Sequence, residues 1–263
     1  MLGKKKFSYL KNDTTFVLNP KLSNHDLSDD SDYDNKSSSN NDEEKEEILY
    51  NAKFSNLSNY DKSEREVWVP TITDPRGADF KAYENIKQSK SFVDMEVRAI
   101  KAFKSLGVMM TDTCINYQVF MPPVLGEHLA FGDTGSSIYA NSVLGARTNF
   151  EGGPSALASS LTGRTPMYGL HLEKNRIPNK AFSIKCEPKD LSDWGALGAI
   201  IGKQMNSYWD IPIIYGLNIK PTSDELKHFG AAMASFGSTP MFHIDGVTPE
   251  VHLFKNLKIN LKK

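Results

Sequence analysis

The sequence predicts an α/β fold with a largely parallel sheet, preceded by a disordered acidic segment. Apolar stretches rich in β-branched residues, at 211–217 and 241–245, alternate with stretches of helical periodicity. Strands that alternate with helices are typical of a parallel sheet, because each return to the sheet needs a crossover. The 263 residues are enough for one large domain with its own hydrophobic core.

Three regions follow from composition. Residues 1–65 form an N-terminal region in which the stretch at about 23–47 is acidic and contains little that is apolar besides Leu27 and Tyr33. Such a stretch buries too little surface to offset the entropy of ordering it, so we predict disorder there. Residues 66–255 form the folded α/β domain, and residues 256–263 form a basic tail.

The first elements of the domain are predicted from local patterns. Residues 67–72, V-W-V-P-T-I, have the composition of a strand. Apolar residues at spacings of three and four predict a helix over 92–106, with a broad buried face and Gly107 at its end. A short helix over 152–163 begins near Pro154, whose fixed φ suits a first helical position, and ends at Gly163.

The second half predicts two more helices and two strands. A helix begins within the run D-W-G-A-L-G-A-I-I-G-K-Q-M, and the apolar residues 211–217 form a buried strand. Thr222 and Glu225 stand in capping-box spacing before a helix that ends near Gly237. The last strand is predicted over 241–245.

Charge and cysteine content exclude some classes of protein. With 31 basic and 32 acidic residues, the chain has no overall field that attracts nucleic acid or an anionic membrane. No apolar run is long enough to span a bilayer, and the N-terminus lacks the features of a targeting sequence. The two cysteines, Cys114 and Cys186, indicate free thiols in a reducing compartment, so the expected location is the cytoplasm.

The run F-G-D-T-G-S-S at 131–137 contains the four letters of an aspartic-protease half-site, around Asp133. Aspartic proteases need two aspartates that share one proton. No second D-T-G or D-S-G occurs in the chain, and the run lies among helical patterns rather than in an all-β lobe. The protease interpretation is therefore set aside.

Longer motifs carry a family resemblance. They are T-D-T-C-I-N-Y at 111–117, P-x-x-G-E-H-L-A-F at 123–131, Y-A-N-S-V-L-G-A-R-T-N at 139–149, E-G-G-P-S-A-L-A at 151–158 and T-G-R-T-P-x-Y-G-L-H at 162–171. Upstream, V-P-T-I-T-D-P-R-G-A-D fits the same pattern. Over roughly residues 66 to 245 the chain resembles the large subunit or domain of the aconitase X family.

The resemblance implies a dehydratase of small hydroxy acids. The family includes cis-3-hydroxy-L-proline dehydratases and phosphomevalonate dehydratases, in which an aconitase-like α/β large domain closes on a small swivelling domain. It implies an iron centre or iron-sulfur cluster, since hydroxide is a poor leaving group that a Lewis-acid metal can polarise. It also implies a small-subunit or swivelling-domain partner.

Site residues follow from the same motifs. By resemblance, Cys114 is a ligand of the iron centre, and His128 and Ser142 are catalytic residues. The predicted substrate-binding residues are Asn141, Ser142, Arg147, Thr148 and Asn149. The guanidinium of Arg147 suits a substrate carboxylate, although an arginine in a tight loop also often bridges backbone carbonyls.

Departures from the family pattern leave three functions open. Phe150 replaces an arginine, which lowers the local positive charge and favours a cis-3-hydroxy-L-proline type of substrate over a phosphomevalonate type. An aconitase-type cluster needs three cysteine ligands, so the chain is expected to be C-terminally incomplete, with missing ligands supplied by a partner. A degenerate relative that binds without catalysing is the alternative from a different class.

Overall fold

The computed structural model describes residues 66–254, together with short strand backbones at 6–9, 15–17 and 261–262. The predicted acidic segment at about 23–47 lies outside the described residues, as does most of the predicted basic tail.

Within the described part of the chain, short strands form two sheets. In chain order the strands are β1 (Lys6–Tyr9), β2 (Thr15–Val17), β3 (Arg164–Pro166), β4 (Lys180–Ser183), β5 (Pro212–Tyr215), β6 (His243–Ile244) and β7 (Leu261–Lys262). The larger sheet has the order β6-β5-β4-β7, and all its pairings are parallel. The smaller sheet, in the order β2-β1-β3, is antiparallel. The larger sheet confirms the predicted α/β fold.

The helices of the described residues are α1 (Lys90–Ser105), α2 (Asn116–Val119), α3 (Thr134–Tyr139), α4 (Gly153–Thr162), α5 (Leu191–Met205) and α6 (Ser223–Gly237). Further helical turns are a π-helix at Ala140–Leu144 and 3₁₀ turns at Gly169–His171, Glu173–Asn175 and Pro249–Phe254. The predicted caps are present. Thr222 and Glu225 form both bonds of the capping box, and Gly163 ends α4 in the left-handed conformation that glycine adopts without strain.

The main hydrophobic core joins the parallel sheet to α3, α5 and α6. Its fully buried members include Ile138, Trp194, Phe229, Met233 and Phe242. Each such side chain stabilises the fold by about 1.5–3 kcal/mol relative to exposure. The core therefore anchors α3, α5 and α6 to the parallel sheet.

Helices α5 and α6 pack with their backbones in close approach. A methyl group added at Gly202 would stand 2.5 Å from the carbonyl oxygen of Met233, and one added at Gly198 would overlap the carbonyl of Phe229. Gly198 and Gly202 therefore lie on the surface of α5 that packs against α6.

The predicted strand over 67–72 is wrong. The segment forms a single isolated bridge, between Ile72 and Met109. The reason is that its amides bond to two different neighbours, Val67 to the Leu106 carbonyl and Trp68 to the Ser160 carbonyl, while Pro70 has no N–H. The segment thus ties the ends of α1 and α4 together without belonging to a ladder.

Helix α1 begins after Ser89, whose side chain caps it, and Gly107 follows its end in the left-handed conformation. Its face is less buried than predicted, since Val93 and Ala99 are its buried residues and Val97 is exposed. The apolar stripe faces a cleft rather than a packed layer. None of the described helices is long and apolar enough to cross a bilayer.

Candidate active-site cleft

Two adjoining cavities, of about 560 and 510 Å³, form one cleft beside α1 and α4. We call them the His128 cavity and the Cys114 cavity, after one residue on the wall of each. Their common wall consists of Ile72, Asp74, Pro75, Ala130, Phe131, Gly153 and Ala156. The cleft is thus formed by the T-D-P-R-G, T-C, G-E-H-L-A-F and E-G-G-P motifs.

Cys114 stands on the wall of its cavity as a half-buried free thiol. Its backbone is held by Ser136, whose Oγ lies 2.7 Å from the Cys114 carbonyl oxygen. Ser136 is 6% exposed and belongs to the first turn of α3. The sequence therefore positions this thiol through a hydrogen bond from a helix that is itself anchored in the core.

Asp133 is the N-cap of α3, which explains the D-T-G-S run. Its Oδ2 accepts a 2.7 Å hydrogen bond from the backbone N–H of Ser136, the position that an N-cap carboxylate satisfies. Asp133 also lies on the wall of the Cys114 cavity. The motif is a helix start that brings a carboxylate beside the thiol.

Asp74 is a second carboxyl group of the cleft, and the sequence reasoning did not single it out. It lies on the wall that both cavities share. Burial raises the pKa of Asp74, and the negative charge of Asp133 raises it further. A carboxyl group with a raised pKa in a cleft is suited to proton transfer. Asp74 belongs to the T-D-P-R-G motif, but only the fold shows that the charge of Asp133 acts on it.

Arg76, from the same motif, is the one arginine or lysine on the described walls of the two cavities. Its guanidinium forms an ion pair with Asp112 and lies 5.1 Å from the ring centre of Phe80. The cation is therefore held in place at the edge of the cleft.

His128 lies on the wall of the cavity that carries its name. Its Nδ1 is 2.9 Å from Nδ1 of His171, and the two rings are nearly parallel at 15°, with centres 5.1 Å apart. His171 is 3% exposed, and its burial lowers its pKa to about 3, with the charges of His128, Arg176 and Arg147 acting in the same direction. His171 is the last residue of the T-G-R-T-P-x-Y-G-L-H motif and was not predicted as a site residue.

Arg147 spans two groups of the protein. One guanidinium nitrogen donates to the His171 carbonyl oxygen at 3.2 Å, and another lies 3.2 Å from Oε1 of Glu173. Its backbone forms an isolated bridge with His128, in which the Arg147 carbonyl accepts from Leu129 N–H and Arg147 N–H donates to the Glu127 carbonyl. The side chain thus bridges a backbone carbonyl and a carboxylate here, and its predicted contact with substrate stays a prediction.

The other predicted substrate-binding residues lie in and after the π-helical turn that continues α3. Asn141 donates to the carbonyls of Thr148 and Pro240, and its Oδ1 accepts from Thr148 N–H. Ser142 Oγ accepts from Phe242 N–H, and the Asn149 side chain accepts from Leu170 N–H.

Thr148 Oγ1 accepts from Phe131 N–H and donates to the Asn149 carbonyl. These four residues are buried, and none of them belongs to the described walls of the two cavities. Their side chains hold the cleft-forming segments in register, and their roles in substrate binding and catalysis stay predictions.

Arg176 is a buried centre of hydrogen bonding that the sequence reasoning missed. It is 1% exposed, and its Nε donates to both carboxylate oxygens of Glu250, at 3.1 and 3.0 Å. The remaining nitrogens donate to Asn141 and to the Leu170 carbonyl. A buried charge needs hydrogen-bond partners, and here all three guanidinium nitrogens have at least one.

Phe150 packs inward rather than onto the cleft. It contacts the main hydrophobic cluster and meets the ring of Tyr208 edge to face, with centres 5.5 Å apart. The expectation that Phe150 changes the charge of an anion-binding wall therefore has no support in the described geometry.

The residues present fit part of an iron centre. Cys114 has the soft sulfur and the partial exposure of a ligand, but Cys186 is exposed and lies on neither cavity wall. Within the described residues, no three histidine, cysteine, aspartate or glutamate side chains are arranged to hold a metal. The described residues therefore offer one thiolate ligand and no complete site.

The fold and the cleft define an α/β protein with a cleft lined by the sequence motifs and by acidic side chains. Residues 47–174 match the family model of the aconitase X first domain, and residues 178–262 match that of the aconitase X second domain. The chain belongs to the aconitase X family.

Similar proteins agree with this assignment. The chain is 44% identical over 188 residues to the phosphomevalonate dehydratase large subunit of Methanosarcina mazei, over 71% of this chain and 46% of that protein. It is 39% identical over 153 residues to the cis-3-hydroxy-L-proline dehydratase of Hypocrea jecorina, over 57% of this chain and 25% of that protein.

A crystal structure of the holo-form of Thermococcus kodakaraensis aconitase X superimposes with a TM-score of 0.68 at 32% identity, covering 80% of this chain and 52% of that one. The chain thus spans about half the length of the phosphomevalonate dehydratase large subunit that it matches.

Proposed function

We propose that the chain supplies a large part of the active site of a hydro-lyase that removes water from a small hydroxy acid. The observation that carries the proposal is the cleft in which the thiol of Cys114 and the carboxyl group of Asp74 line one cavity. The relatives support the reaction class, since both phosphomevalonate dehydratase and cis-3-hydroxy-L-proline dehydratase are named for the removal of water.

Elimination of water needs a group that takes a proton from carbon and a group that assists the departing hydroxyl. Asp74, whose pKa is raised, is proposed to hold the proton that assists departure. Arg76 is proposed to orient the substrate carboxylate from the neighbouring wall. An iron centre, when bound, polarises the hydroxyl, and Cys114 is proposed as one of its ligands, with the others coming from outside the described residues.

A phosphorylated hydroxy acid of the phosphomevalonate type is the proposed substrate. The chain is 44% identical to a phosphomevalonate dehydratase large subunit and 39% identical to a cis-3-hydroxy-L-proline dehydratase over the aligned residues. The opposite preference rested on Phe150, which packs against Tyr208 in this structure. Because the named relative is a large subunit, a small-subunit partner is part of the proposal.

Binding without catalysis is the second candidate function. The described walls of the two cavities offer one cysteine, Cys114, so a chain that receives no further ligands would bind a small acid without catalysing its dehydration.

The test is a dehydration assay on the full chain. The protein is purified anaerobically, reconstituted with ferrous iron and sulfide, and supplied with phosphomevalonate or cis-3-hydroxy-L-proline, with and without a small-subunit protein of this family. The expected result is water loss from phosphomevalonate when the small subunit is present. Cys114→Ser is expected to lower the rate by at least about 100-fold. Loss of a residue that only hydrogen-bonds to a metal ligand can already lower activity by up to about 100-fold, and Cys114 is the proposed ligand itself.

Cys186→Ser is the matched control, since Cys186 is exposed and lies on neither cavity wall. It is expected to leave the rate unchanged. Water loss from the hydroxyproline alone would replace the proposed substrate. No water loss from either compound under any of these conditions would favour the binding function.

A further inference from the structure

We propose that His171 is a positioning residue that donates its Nδ1–H to Nδ1 of His128 and so fixes the proton of His128 on Nε2. His128 then meets the cleft as a hydrogen-bond donor. The assignment of the protons stands on the contacts, the burial and the charges around the pair, whereas its use in turnover rests on the proposed function.

The contact itself limits the choices. The two Nδ1 atoms are 2.9 Å apart, a hydrogen-bond distance, and the rings are nearly parallel at 15°. The proposal concerns the pair with both rings neutral. Between two neutral imidazoles such a bond contains one proton, so one ring donates and the other accepts. Whichever ring donates through Nδ1, its partner carries its own proton on Nε2.

His171 is neutral in this pair. It is 3% exposed, and the groups that act on it are His128 on one side and the guanidinium groups of Arg176 and Arg147 on the others. Glu173, which could offset this positive field, lies at the surface and is paired with Arg147. Burial and these charges lower the pKa of His171 to about 3, so it stays neutral throughout the range in which an ordinary histidine titrates.

The far nitrogen of His171 decides the direction of the bond. Its Nε2 is buried and has no hydrogen-bond partner among the described residues. If His171 accepted at Nδ1, Nε2 would carry a buried N–H without an acceptor, which is rare in proteins and lies here in a field of two cations. If His171 donates at Nδ1, Nε2 is a bare lone pair, which that field favours.

His243 provides a precedent in the same molecule. Its Nε2 lies 2.8 Å from the Arg176 carbonyl oxygen, which can only accept, so Nε2 carries the proton. Burial lowers the pKa of His243 to about 4, so Nδ1 is unprotonated, and Nδ1 is buried without a partner among the described residues. This protein therefore already holds one buried imidazole with a bare lone pair.

The backbone makes the pair rigid. Leu129 N–H donates to the Arg147 carbonyl at 2.9 Å, and Arg147 N–H donates to the Glu127 carbonyl at 2.8 Å. The Arg147 side chain in turn donates to the His171 carbonyl oxygen. His128, Arg147 and His171 therefore form one unit, which fixes the ring orientation of His128 as well as its proton.

The test is the tautomeric state of both histidines, measured by ¹⁵N NMR of the full chain labelled at histidine. Signals of His128 and His171 are assigned by their loss in His128→Gln and His171→Asn. The expected result, at about pH 7, is His128 protonated on Nε2 and His171 protonated on Nδ1. The reverse assignment, or a charged His171 at that pH, would overturn the proposal.

Two substitutions test the positioning role. His171→Asn keeps an N–H donor at a similar position, and the His128 signals are expected to stay those of the Nε2-protonated form. His171→Leu removes the donor, and a population of His128 protonated on Nδ1 is expected to appear. An unchanged tautomer in a folded Leu variant would contradict the proposal; if that variant does not fold, the wild-type and Asn spectra still decide it.

The role in turnover has a separate readout. If the proposed dehydration is observed, kcat is expected to fall in the Leu variant and to recover in the Asn variant, with a shifted pH profile in the Leu variant alone. If no dehydration is observed while the tautomers are as assigned, the proposed function fails and the positioning inference stands.

Discussion

At the scale of residues, the ionisable groups of this protein that matter most are the buried ones. His171 and His243 are both held neutral by burial, with pKa values lowered to about 3 and about 4. The pKa of Asp74 is raised, because burial and the negative charge of Asp133 both favour the protonated carboxyl group. These pKa shifts come mainly from burial of the three side chains. They make the free energy of unfolding depend on pH.

We predict that the protein loses stability as the pH falls below the ordinary pKa of histidine, about 6.5. His171 and His243 then bind protons in the unfolded chain but stay neutral in the native state, so the unfolded state is favoured. Each histidine contributes up to about 1.4 kcal/mol per pH unit, ending near pH 4 for His243 and near pH 3 for His171. Urea unfolding at several pH values measures the slope.

His243→Gln is the matched variant, because glutamine keeps an N–H donor for the Arg176 carbonyl and cannot take up a proton. The slope is expected to fall by about half between about pH 6 and pH 4. An unchanged slope would show that His243 is not held neutral by the fold.

A second residue-scale prediction concerns Asp133. Asp133→Ala removes the acceptor for Ser136 N–H and is expected to cost about 1 kcal/mol of unfolding free energy, whereas Asp133→Asn keeps the cap. Removing the charge in the Asn variant is also expected to lower the pKa of Asp74, measured by ¹³C NMR of the carboxyl group. Equal loss of stability in both variants would contradict the capping role.

At the scale of elements, local patterns predicted where the helices lie but not which groups pack against them. Local sequence determines helix ends. Thr222 and Glu225 begin α6 through the hydrogen bonds of a capping box, and α4 begins near Pro154 and ends at Gly163 because of their backbone preferences. The stripe of α1 was predicted as buried, but it lines a cleft, because apolar periodicity does not distinguish a cavity wall from a core. The prediction of a strand over 67–72 was wrong because the hydrogen-bond partners of this segment are helix ends far away in sequence.

We predict that Gly202→Ala destabilises the protein by about 1–3 kcal/mol, since overpacking displaces tightly packed elements. The added methyl would stand 2.5 Å from the Met233 carbonyl oxygen, so α5 and α6 must separate. Gly195→Ala, in the same helix, is the control. Nothing lies within 4 Å of the added methyl there, and the better helix propensity of alanine is expected to stabilise by about 0.5–1 kcal/mol. Thermal unfolding of the two variants measures both, and equal effects would show that α5 and α6 do not approach as described.

At the scale of the whole molecule, Arg176 joins the two parts that the family models recognise. It lies between residues 47–174 and residues 178–262, and donates to Asn141 in the first and Glu250 in the second. The sequence could not show this contact, since Arg176 and Glu250 are 74 positions apart. The pairs His128 with His171 and Asp74 with Asp133 were hidden for the same reason. Cys114 and His128 were predicted through their motifs, and both lie on cavity walls.

We predict that Glu250→Gln costs about 3–5 kcal/mol of unfolding free energy, because it leaves the Arg176 charge buried without its counter-ion. The double variant Arg176→Met with Glu250→Leu is expected to be more stable than Glu250→Gln, since it leaves no unpaired charge. Asp94→Ala, which breaks an exposed ion pair with Lys90, is the control and is expected to cause no measurable change. A Glu250→Gln effect as small as the control would contradict the joining role of Arg176.

The most direct test of the central claim is iron binding at Cys114. Wild-type protein, Cys114→Ser and Cys186→Ser are reconstituted anaerobically with ferrous iron and sulfide, with and without a small-subunit protein, and iron is counted alongside the absorption spectrum. We expect wild type and Cys186→Ser to hold iron with a thiolate-to-iron absorption, and Cys114→Ser to lose both. Iron held equally by Cys114→Ser, or by none of the three proteins under either condition, would contradict the account.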